Sequence, residues 1–198
     1  MTSTSSFYAK IETQVVLFNS PIYPESQDDK EEHLPPLGLG YIATELNRAG
    51  IPAEIVDCVH DQLGIDEIVK IINKGSFDCV GFNIFSINIE IVKAILLRLD
   101  RIVLVFLGGK VVEYIWNEVS HWGYRYPITA IIGEGELIFP ALILNNCIEN
   151  PIATEGSFSV YRVDSNSVYY PKDLDAISLD RTLFCGREIK NRFGLLES

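Results

Sequence analysis

The sequence predicts an α/β fold: a doubly wound sheet of five parallel strands with helices on both faces, followed by a C-terminal β-hairpin. Short apolar runs alternate with amphipathic, helix-length segments over residues 14–148. The run 102–107 is apolar at every position, as in strands that are buried on both faces of a parallel sheet. Glycines follow several of these runs, where a parallel strand leaves the sheet for a helix.

The elements follow one another in a regular order. The first strand is predicted at 14–18 and the first helix at 36–49, where apolar residues at helical spacing from Leu39 onward form one face and Gly50 ends the helix. The other predicted strands are 53–56, 78–84, 102–107 and 128–132, and the other predicted helices are 65–73, 89–99, 112–119 and 138–148.

The pattern changes after Pro151. Alternating residues at 157–163, turn-forming residues at 164–167 and a second β-type run at 168–170 predict a β-hairpin. We therefore expect three parts: a disordered N-terminus at 1–13, an α/β domain at 14–150, and a hairpin with a linker-like tail at 151–198.

Composition excludes several classes of partner and site. The net charge of −11 argues against nucleic acid or an anionic membrane surface as the main partner, because both need a basic face. The Ser/Thr-rich N-terminus lacks a signal-peptide run, and no apolar run approaches ~20 residues, so we expect a cytoplasmic protein. Four widely spaced cysteines predict reduced, structural thiols and no sequence-local metal or iron-sulfur site: Cys58, Cys79, Cys147 and Cys185.

Glycine-rich turns mark three places along the chain. One is Gly38, which opens the first helix after two prolines; the others are Gly108-Gly109 and the Gly-Glu-Gly-Glu run at 133–136. Because the ligand crevice of an open α/β sheet lies beyond the carboxyl ends of its strands, these turns predict one site for a large ligand.

The order of these motifs resembles the N-terminal cobalamin (B12)-binding domain of B12-dependent radical SAM enzymes. The residues that carry the resemblance are Pro35-Pro36-Leu37-Gly38-Leu39-Gly40-Tyr41, Val80-Gly81-Phe82-Asn83-Ile84-Phe85-Ser86-Ile87-Asn88, Leu107-Gly108-Gly109 and Gly133-Glu134-Gly135-Glu136. The resemblance implies a Rossmann-like or flavodoxin-like sheet that binds cobalamin. It implies these cofactor-binding residues: Leu37, Gly38, Asn83, Phe85, Ser86, Asn88, Gly108, Gly109, Gly133, Glu134, Gly135 and Glu136.

The resemblance also implies base-off cobalamin, with no histidine of this chain on the cobalt. His60 lies in a near match to the DxHxxG motif of methionine-synthase-like proteins, but its spacing and its location after the second strand are wrong for that motif. His33 precedes the two prolines at a spacing that also misses the motif. We interpret both as solvated loop histidines.

Enzymes of this family continue into a radical SAM barrel with a CxxxCxxC loop, a motif that this sequence lacks. We therefore expect no iron-sulfur cluster, no catalytic residue and no metal ligand in the chain, which would act as an accessory or detached subunit for a separate radical SAM methyltransferase-type protein. The alternative is a non-catalytic cobalamin carrier, a sensor or a degenerate domain.

A second alternative is an NAD(P)-binding Rossmann protein. The segment 38–43 matches GxGxxG/A, and Asp57 follows at the spacing of a ribose-binding acid. Against this alternative, the loop 19–36 separates the first strand from Gly38, whereas the fingerprint needs its first glycine directly after that strand.

Overall fold

The computed structural model describes residues 13–25, 35–124, 127–173 and 177–184, and the backbone of 190–191 and 194–195. The strands are β1 (Val15–Asn19), β2 (Ala53–Asp57), β3 (Cys79–Asn83), β4 (Leu104–Gly108), β5 (Ile128–Gly133), β6 (Ala153–Glu155), β7 (Phe158–Val163), β8 (Lys190–Asn191) and β9 (Gly194–Leu195). The helices are α1 (Leu37–Arg48), α2 (Ile65–Lys74), α3 (Ile89–Leu97), α4 (Val112–Val119) and α5 (Ile138–Ile143), with a 3-10 turn at Arg181–Phe184. Of the predicted disordered N-terminus, all but Thr13 lies outside the described residues.

The main sheet has the strand order β2-β1-β3-β4-β5-β7-β6. All neighbouring pairs are parallel except β6 with β7, so the prediction of an α/β fold with a parallel sheet is confirmed. The prediction of five strands is wrong. Strand β7 pairs with β5 along its whole length and β6 pairs with β7, which extends the sheet to seven strands in the part of the chain that is described.

The C-terminal hairpin has a different partner from the one predicted. Its strands are β6 and β7, joined at Gly156, whereas 168–170 forms turns and is not a strand. Glu149 explains the difference, because its Oε1 accepts hydrogen bonds from Ser167 Oγ at 2.7 Å and from Val168 N at 2.8 Å. These bonds hold the chain at 167–168 in a turn, and β7 already has β5 and β6 as its two neighbours in the sheet.

Helices cover both faces of the sheet, as a doubly wound fold requires. The core on one face contains Leu39 and Leu46 of α1 and Phe139 of α5. The core on the other face is built with residues of α2, α3 and α4, including Ile68 and Ile95.

Helix α5 ends five residues before its predicted end at Ile148. Asn145 has a φ of 54°. Its N–H donates to Leu142 O at 3.1 Å, and Asn146 N donates to Ala141 O at 3.0 Å. These two bonds form a Schellman motif, in which asparagine takes the left-handed position that usually belongs to glycine.

The segment 177–184 packs on α1. Asp180 N donates to Thr44 Oγ1 at 2.9 Å, and Arg48 hydrogen-bonds Ser178. A Cβ at Gly40 would lie 2.6 Å from Leu179 Cδ1 and 2.8 Å from Phe184 Cζ, so glycine allows the segment to approach the helix this closely. Helix α1 is thus held between the sheet and this segment. No helix within the described ranges has the length and apolar character needed to cross a membrane.

Candidate cofactor-binding site

A cleft of about 440 Å³ opens at the carboxyl edge of the sheet, on the face that α1 and α5 cover. Its lining residues come from strands β1, β3, β4 and β5, the two helices and the turns beside them. They are Leu17, Asn19, Pro36, Gly38, Leu39, Ile42, Gly81, Phe82, Asn83, Phe85, Phe106, Leu107, Gly108, Gly109, Ile131, Gly133, Glu134, Gly135, Glu136 and Phe139. This is the edge where an open α/β sheet binds its ligand.

The floor of the cleft is apolar and includes an aromatic pair. Gly81 lies beside Leu17 and Phe106 in the strand register, so a position without a side chain stands between two apolar ones. The rings of Phe106 and Phe139 stack with their centroids 4.0 Å apart and an interplanar angle of 21°. Such a floor suits a flat, apolar ring more than a charged group.

The predicted glycines meet at the rim of the cleft, but for two different reasons. A Cβ at Gly38 or Gly108 would have no atom within 4 Å, so these two positions leave open space. Gly109 and Gly133 have φ values of +110° and +92°, and a Cβ there would collide with the carbonyl oxygens of Ile84 and Val163. The backbone therefore requires glycine at 109 and 133, whereas at 38 and 108 only the cleft gains from it.

Three polar side chains form a hydrogen-bonded row at the ends of β2, β1 and β3. Asn19 Nδ2 donates to Asp57 Oδ1 at 2.7 Å, and Asn83 Nδ2 donates to Asn19 Oδ1 at 2.8 Å. Asn83 Oδ1 in turn accepts from Ser20 N at 2.7 Å. Asn19 and Asn83 line the cleft, whereas Asp57 is 1% exposed and is not part of the lining.

Glu136 brings a carboxyl group into the cleft. Burial raises the pKa of Glu136, and the carboxylates of Glu134 and Glu45 raise it further. Its Oε2 is buried without a hydrogen-bond partner, and the same holds for Ser20 Oγ beside the end of β1. A buried polar atom without a partner costs free energy, so Glu136 Oε2, which lies in the lining, suits a ligand that supplies the missing bond.

Most of the predicted site residues are brought together here. Those that line the cleft are Gly38, Asn83, Phe85, Gly108, Gly109, Gly133, Glu134, Gly135 and Glu136. Leu37, Ser86 and Asn88 do not line it. Leu37 and Ser86 are exposed. Asn88 is buried, and its Oδ1 accepts from Phe85 N at 2.8 Å, so it holds the loop that carries Phe85.

Sequence reasoning missed several lining residues. Asn19 ends the first strand as a polar residue after four apolar ones, and Gly81 interrupts an apolar strand; both are signals of a site at a strand end or of a close approach. Phe106 and Phe139 gave no such signal, because an aromatic residue in an apolar run is expected in any core.

The histidines and cysteines lie apart from the cleft wherever their side chains are described. The side chain of His60 is 49% exposed, with its Nδ1 at 2.8 Å from Asp61 Oδ1. His33 and Cys185 lie outside the described side chains. Burial raises the pKa values of the Cys58 and Cys79 thiols well above the usual range, as expected of inert structural thiols. Within the described residues, no three histidine, cysteine or acidic side chains come together as a metal site would need.

The residues of the cleft fit the nucleotide tail of a cobalamin. That tail combines a flat aromatic base with ribose and phosphate, and the cleft combines an apolar floor with polar strand ends and the partnerless Oε2 of Glu136. Open positions at Gly38 and Gly108 leave room at the rim for its passage.

The chain was then compared with known proteins. The family model of the B12 binding domain matches residues 31–143, more than half of the chain. No curated protein matches. Among solved structures, the chain is similar to the radical S-adenosylmethionine methyltransferase TsrM from Kitasatospora setae with tryptophan substrate and a SAM analog bound. The TM-score is 0.49 and the identity 19%, and the match covers 66% of this chain but only 25% of that one.

The family match takes in α1, α5 and the glycine turns that form the rim of the cleft. It confirms the resemblance to a cobalamin-binding domain that the order of the motifs indicated. The chain belongs to the B12-binding domain family.

Proposed function

We propose that this chain binds cobalamin with the nucleotide tail in the cleft and the corrin ring over the carboxyl edge of the sheet. The observation that carries the proposal is the cleft itself, which opens between the sheet and helices α1 and α5 at Gly38 and Gly108, within the part that matches the family. The exposed side chains of Leu37, Phe85 and Ile87 belong to the same edge and offer apolar surface to the ring.

We favour cobalamin over the dinucleotide alternative. Asp57, which that alternative needs as a ribose-binding acid, is buried and already accepts hydrogen bonds from Asn19 Nδ2 and His60 N. Its carboxylate is thus turned toward the protein and not toward a ligand in the cleft.

The cofactor would bind base-off and without a histidine of this chain. A tail that occupies the cleft holds its base away from the cobalt, and the His60 ring faces Asp61 outside the lining of the cleft. Cobalamin would supply a cobalt centre for group-transfer chemistry, while the chain would hold the tail, shield the base from water and fix the position of the ring.

The catalytic partner in this proposal is a separate radical SAM methyltransferase-type protein that supplies the iron-sulfur cluster and S-adenosylmethionine. The order of the glycine motifs supports this partner, and the four cysteines of the chain lack the local spacing that holds a cluster. A carrier, a sensor or a degenerate domain would keep the same fold without such a partner.

Cofactor retention tests the binding proposal. The protein is incubated with hydroxocobalamin, desalted and examined by absorbance spectroscopy. We expect about one corrinoid per chain with a base-off spectrum. Retention of no corrinoid at tens of micromolar protein, with NADH retained instead, would overturn the proposal.

A reconstitution assay tests the partner. The loaded chain should form no 5′-deoxyadenosine alone and should support methyl transfer when a radical SAM protein is added. Anaerobic reconstitution of the chain alone that yields stoichiometric iron and cleavage of S-adenosylmethionine would contradict the accessory role. Inactivity with every candidate partner would favour the carrier, the sensor or the degenerate domain.

A further inference from the structure

The row of polar side chains at the ends of β2, β1 and β3 has a fixed direction. The last residues of the three strands lie side by side, with Asn19 opposite Asp57 in the register and Asn83 one position beyond the paired Phe18 and Phe82. An ionised carboxylate can only accept hydrogen bonds, so Asn19 must turn its amide nitrogen toward Asp57. Its amide oxygen then faces Asn83.

The orientation of the Asn83 side-chain amide follows in the same way. Asn19 Oδ1 accepts from Asn83 Nδ2 at 2.8 Å, which leaves Asn83 Oδ1 to accept from the backbone N–H of Ser20 at 2.7 Å. Ser20 N can only donate, so the two ends of the row, Asp57 and Ser20 N, agree on one orientation for both amides. The carboxylate at position 57 therefore sets the direction in which the side-chain amides of Asn19 and Asn83 point.

Each amide nitrogen carries two hydrogens, and the row uses one of each. The second hydrogen on each nitrogen is left for a group in the cleft that both residues line. We propose that Asn19 and Asn83 donate hydrogen bonds to an acceptor atom of the nucleotide tail, and that Asp57 is the positioning residue that orients them.

This inference rests on the proposed function. It adds that the amide nitrogens of Asn19 and Asn83 favour the binding of corrinoids that carry a nucleotide tail. Cobinamide, which is a corrinoid without the nucleotide, provides the comparison. The native protein should bind cobalamin more tightly than cobinamide, and the ratio of the two dissociation constants then reports on the tail alone.

Two variants separate recognition from folding. Asn19→Asp places two carboxylates side by side, so we expect a lower melting temperature. The exchange Asp57→Asn with Asn19→Asp restores the side-chain row, because Asn at 57 can donate to Asp at 19, which still accepts from Asn83 Nδ2. The backbone N–H of His60, which donates to the same Oδ1 of Asp57 in the native protein, loses this acceptor. The exchange keeps the net charge and the orientation of Asn83, but it replaces the Asn19 donor with a carboxylate that cannot donate.

We expect the exchange variant to melt at a higher temperature than Asn19→Asp alone, while its preference for cobalamin over cobinamide falls about tenfold, since a lost hydrogen bond with a repelling carboxylate in its place is worth about 1.4 kcal/mol. Asp61→Asn is the matched control. It removes a nearby carboxylate that contacts the His60 ring but is not part of the row of Asp57, Asn19 and Asn83. It should leave the preference unchanged.

The outcomes are distinct. If the native protein binds neither corrinoid, the proposed function fails and the inference fails with it. If the native protein prefers cobalamin and the exchange variant keeps that preference, only the inference is overturned. Equal dissociation constants of the native protein for cobalamin and cobinamide would likewise overturn the inference, because the two amides would then contribute nothing to binding of the tail.

Discussion

Single residues at the rim determine how much room the cleft has. The glycine motifs predicted this rim, and the cleft lining includes the glycines at 38, 108, 109, 133 and 135. The sequence could not tell which of them leave space and which the backbone requires, because that depends on the positions of Ile84 and Val163 in neighbouring segments. Asn19 was missed for a similar reason, since its role depends on Asp57, 38 residues away.

Side chains of increasing size at Gly108 should narrow the cleft stepwise. Gly108→Ala and then Gly108→Val should weaken cobalamin binding, by roughly 5- to 150-fold for valine if overpacking costs 1–3 kcal/mol. The fold should survive, because a Cβ at this position meets no atom within 4 Å. Affinity measured by titration and melting measured by circular dichroism would check both statements.

Two controls accompany this series. Binding of cobinamide should weaken less than binding of cobalamin, because cobinamide has no tail to enter the cleft. Gly109→Ala should instead lower the melting temperature, because its Cβ collides with Ile84 O at a φ that favours glycine. If Gly108→Val binds cobalamin normally, the tail does not pass this position.

Glu136 should make stability depend on pH. A carboxyl whose pKa is raised in the folded state stabilises the fold while it is protonated, and this contribution is lost as the pH rises through the raised pKa. Glu136→Gln removes this loss of stability, because glutamine does not ionise. Without ligand, the variant should therefore melt about 2–4 °C above the native protein at pH 8, equivalent to about 1 kcal/mol, and close to it near pH 4.5.

Thermal unfolding at the two pH values measures this difference. Glu118→Gln is the matched control, because Glu118 is exposed on α4, on the other face of the sheet, and no such gap is expected for it. A gap for Glu136→Gln of the same size at both pH values would show that the carboxyl is not held in the protonated form by its surroundings.

His60 should have no part in binding the cobalt. Its ring is half exposed and contacts Asp61. The absorbance spectrum of cobalamin bound to His60→Ala should therefore match that of the native protein. A shift of the cobalt bands in the variant would identify His60 as an axial ligand.

At the scale of elements, the parallel strands and the helices between them were predictable because most of these strands are short, largely apolar runs that alternate with amphipathic segments. The pairing of β7 with β5 was not. The alternation at 157–163 is typical of a strand with one exposed face, and only the sheet decides whether such a strand joins its edge or forms a separate hairpin. The place of the predicted second strand beside β7 is taken by β6, and the contacts of Glu149 with Ser167 and Val168 that hold the turn are long-range and leave no local signal.

The segment 177–184 should stabilise α1 from the outside. Phe184 is 5% exposed and lies where a Cβ at Gly40 would be. Phe184→Ala should remove this contact, and the amide hydrogens of α1 should exchange faster, while those of α3 on the other face of the sheet keep their rates. Hydrogen exchange followed by mass spectrometry would measure both helices in one experiment.

Leu97→Ala provides the matched control, since Leu97 is a large apolar side chain that is 50% exposed on α3. It should change the exchange of neither helix by much. Unchanged exchange of α1 in Phe184→Ala would show that the segment covers the helix without stabilising it.

At the scale of the whole molecule, the account makes one central claim: the cleft between the sheet and helices α1 and α5 is the place of the nucleotide tail. The family match, the open glycines at the rim, the apolar floor and the partnerless Oε2 of Glu136 each support this claim. The acidic net charge of −11 agrees with a small-molecule ligand held by shape and hydrogen bonds more than by a basic surface.

A crystal structure of the protein with hydroxocobalamin tests this claim most directly. The account predicts electron density for the tail inside the cleft, with the base between Phe106 and the helices, the chain passing Gly108, and no histidine on the cobalt. Density that shows the base still bound to the cobalt, or a corrin located away from the carboxyl edge of the sheet, would contradict it.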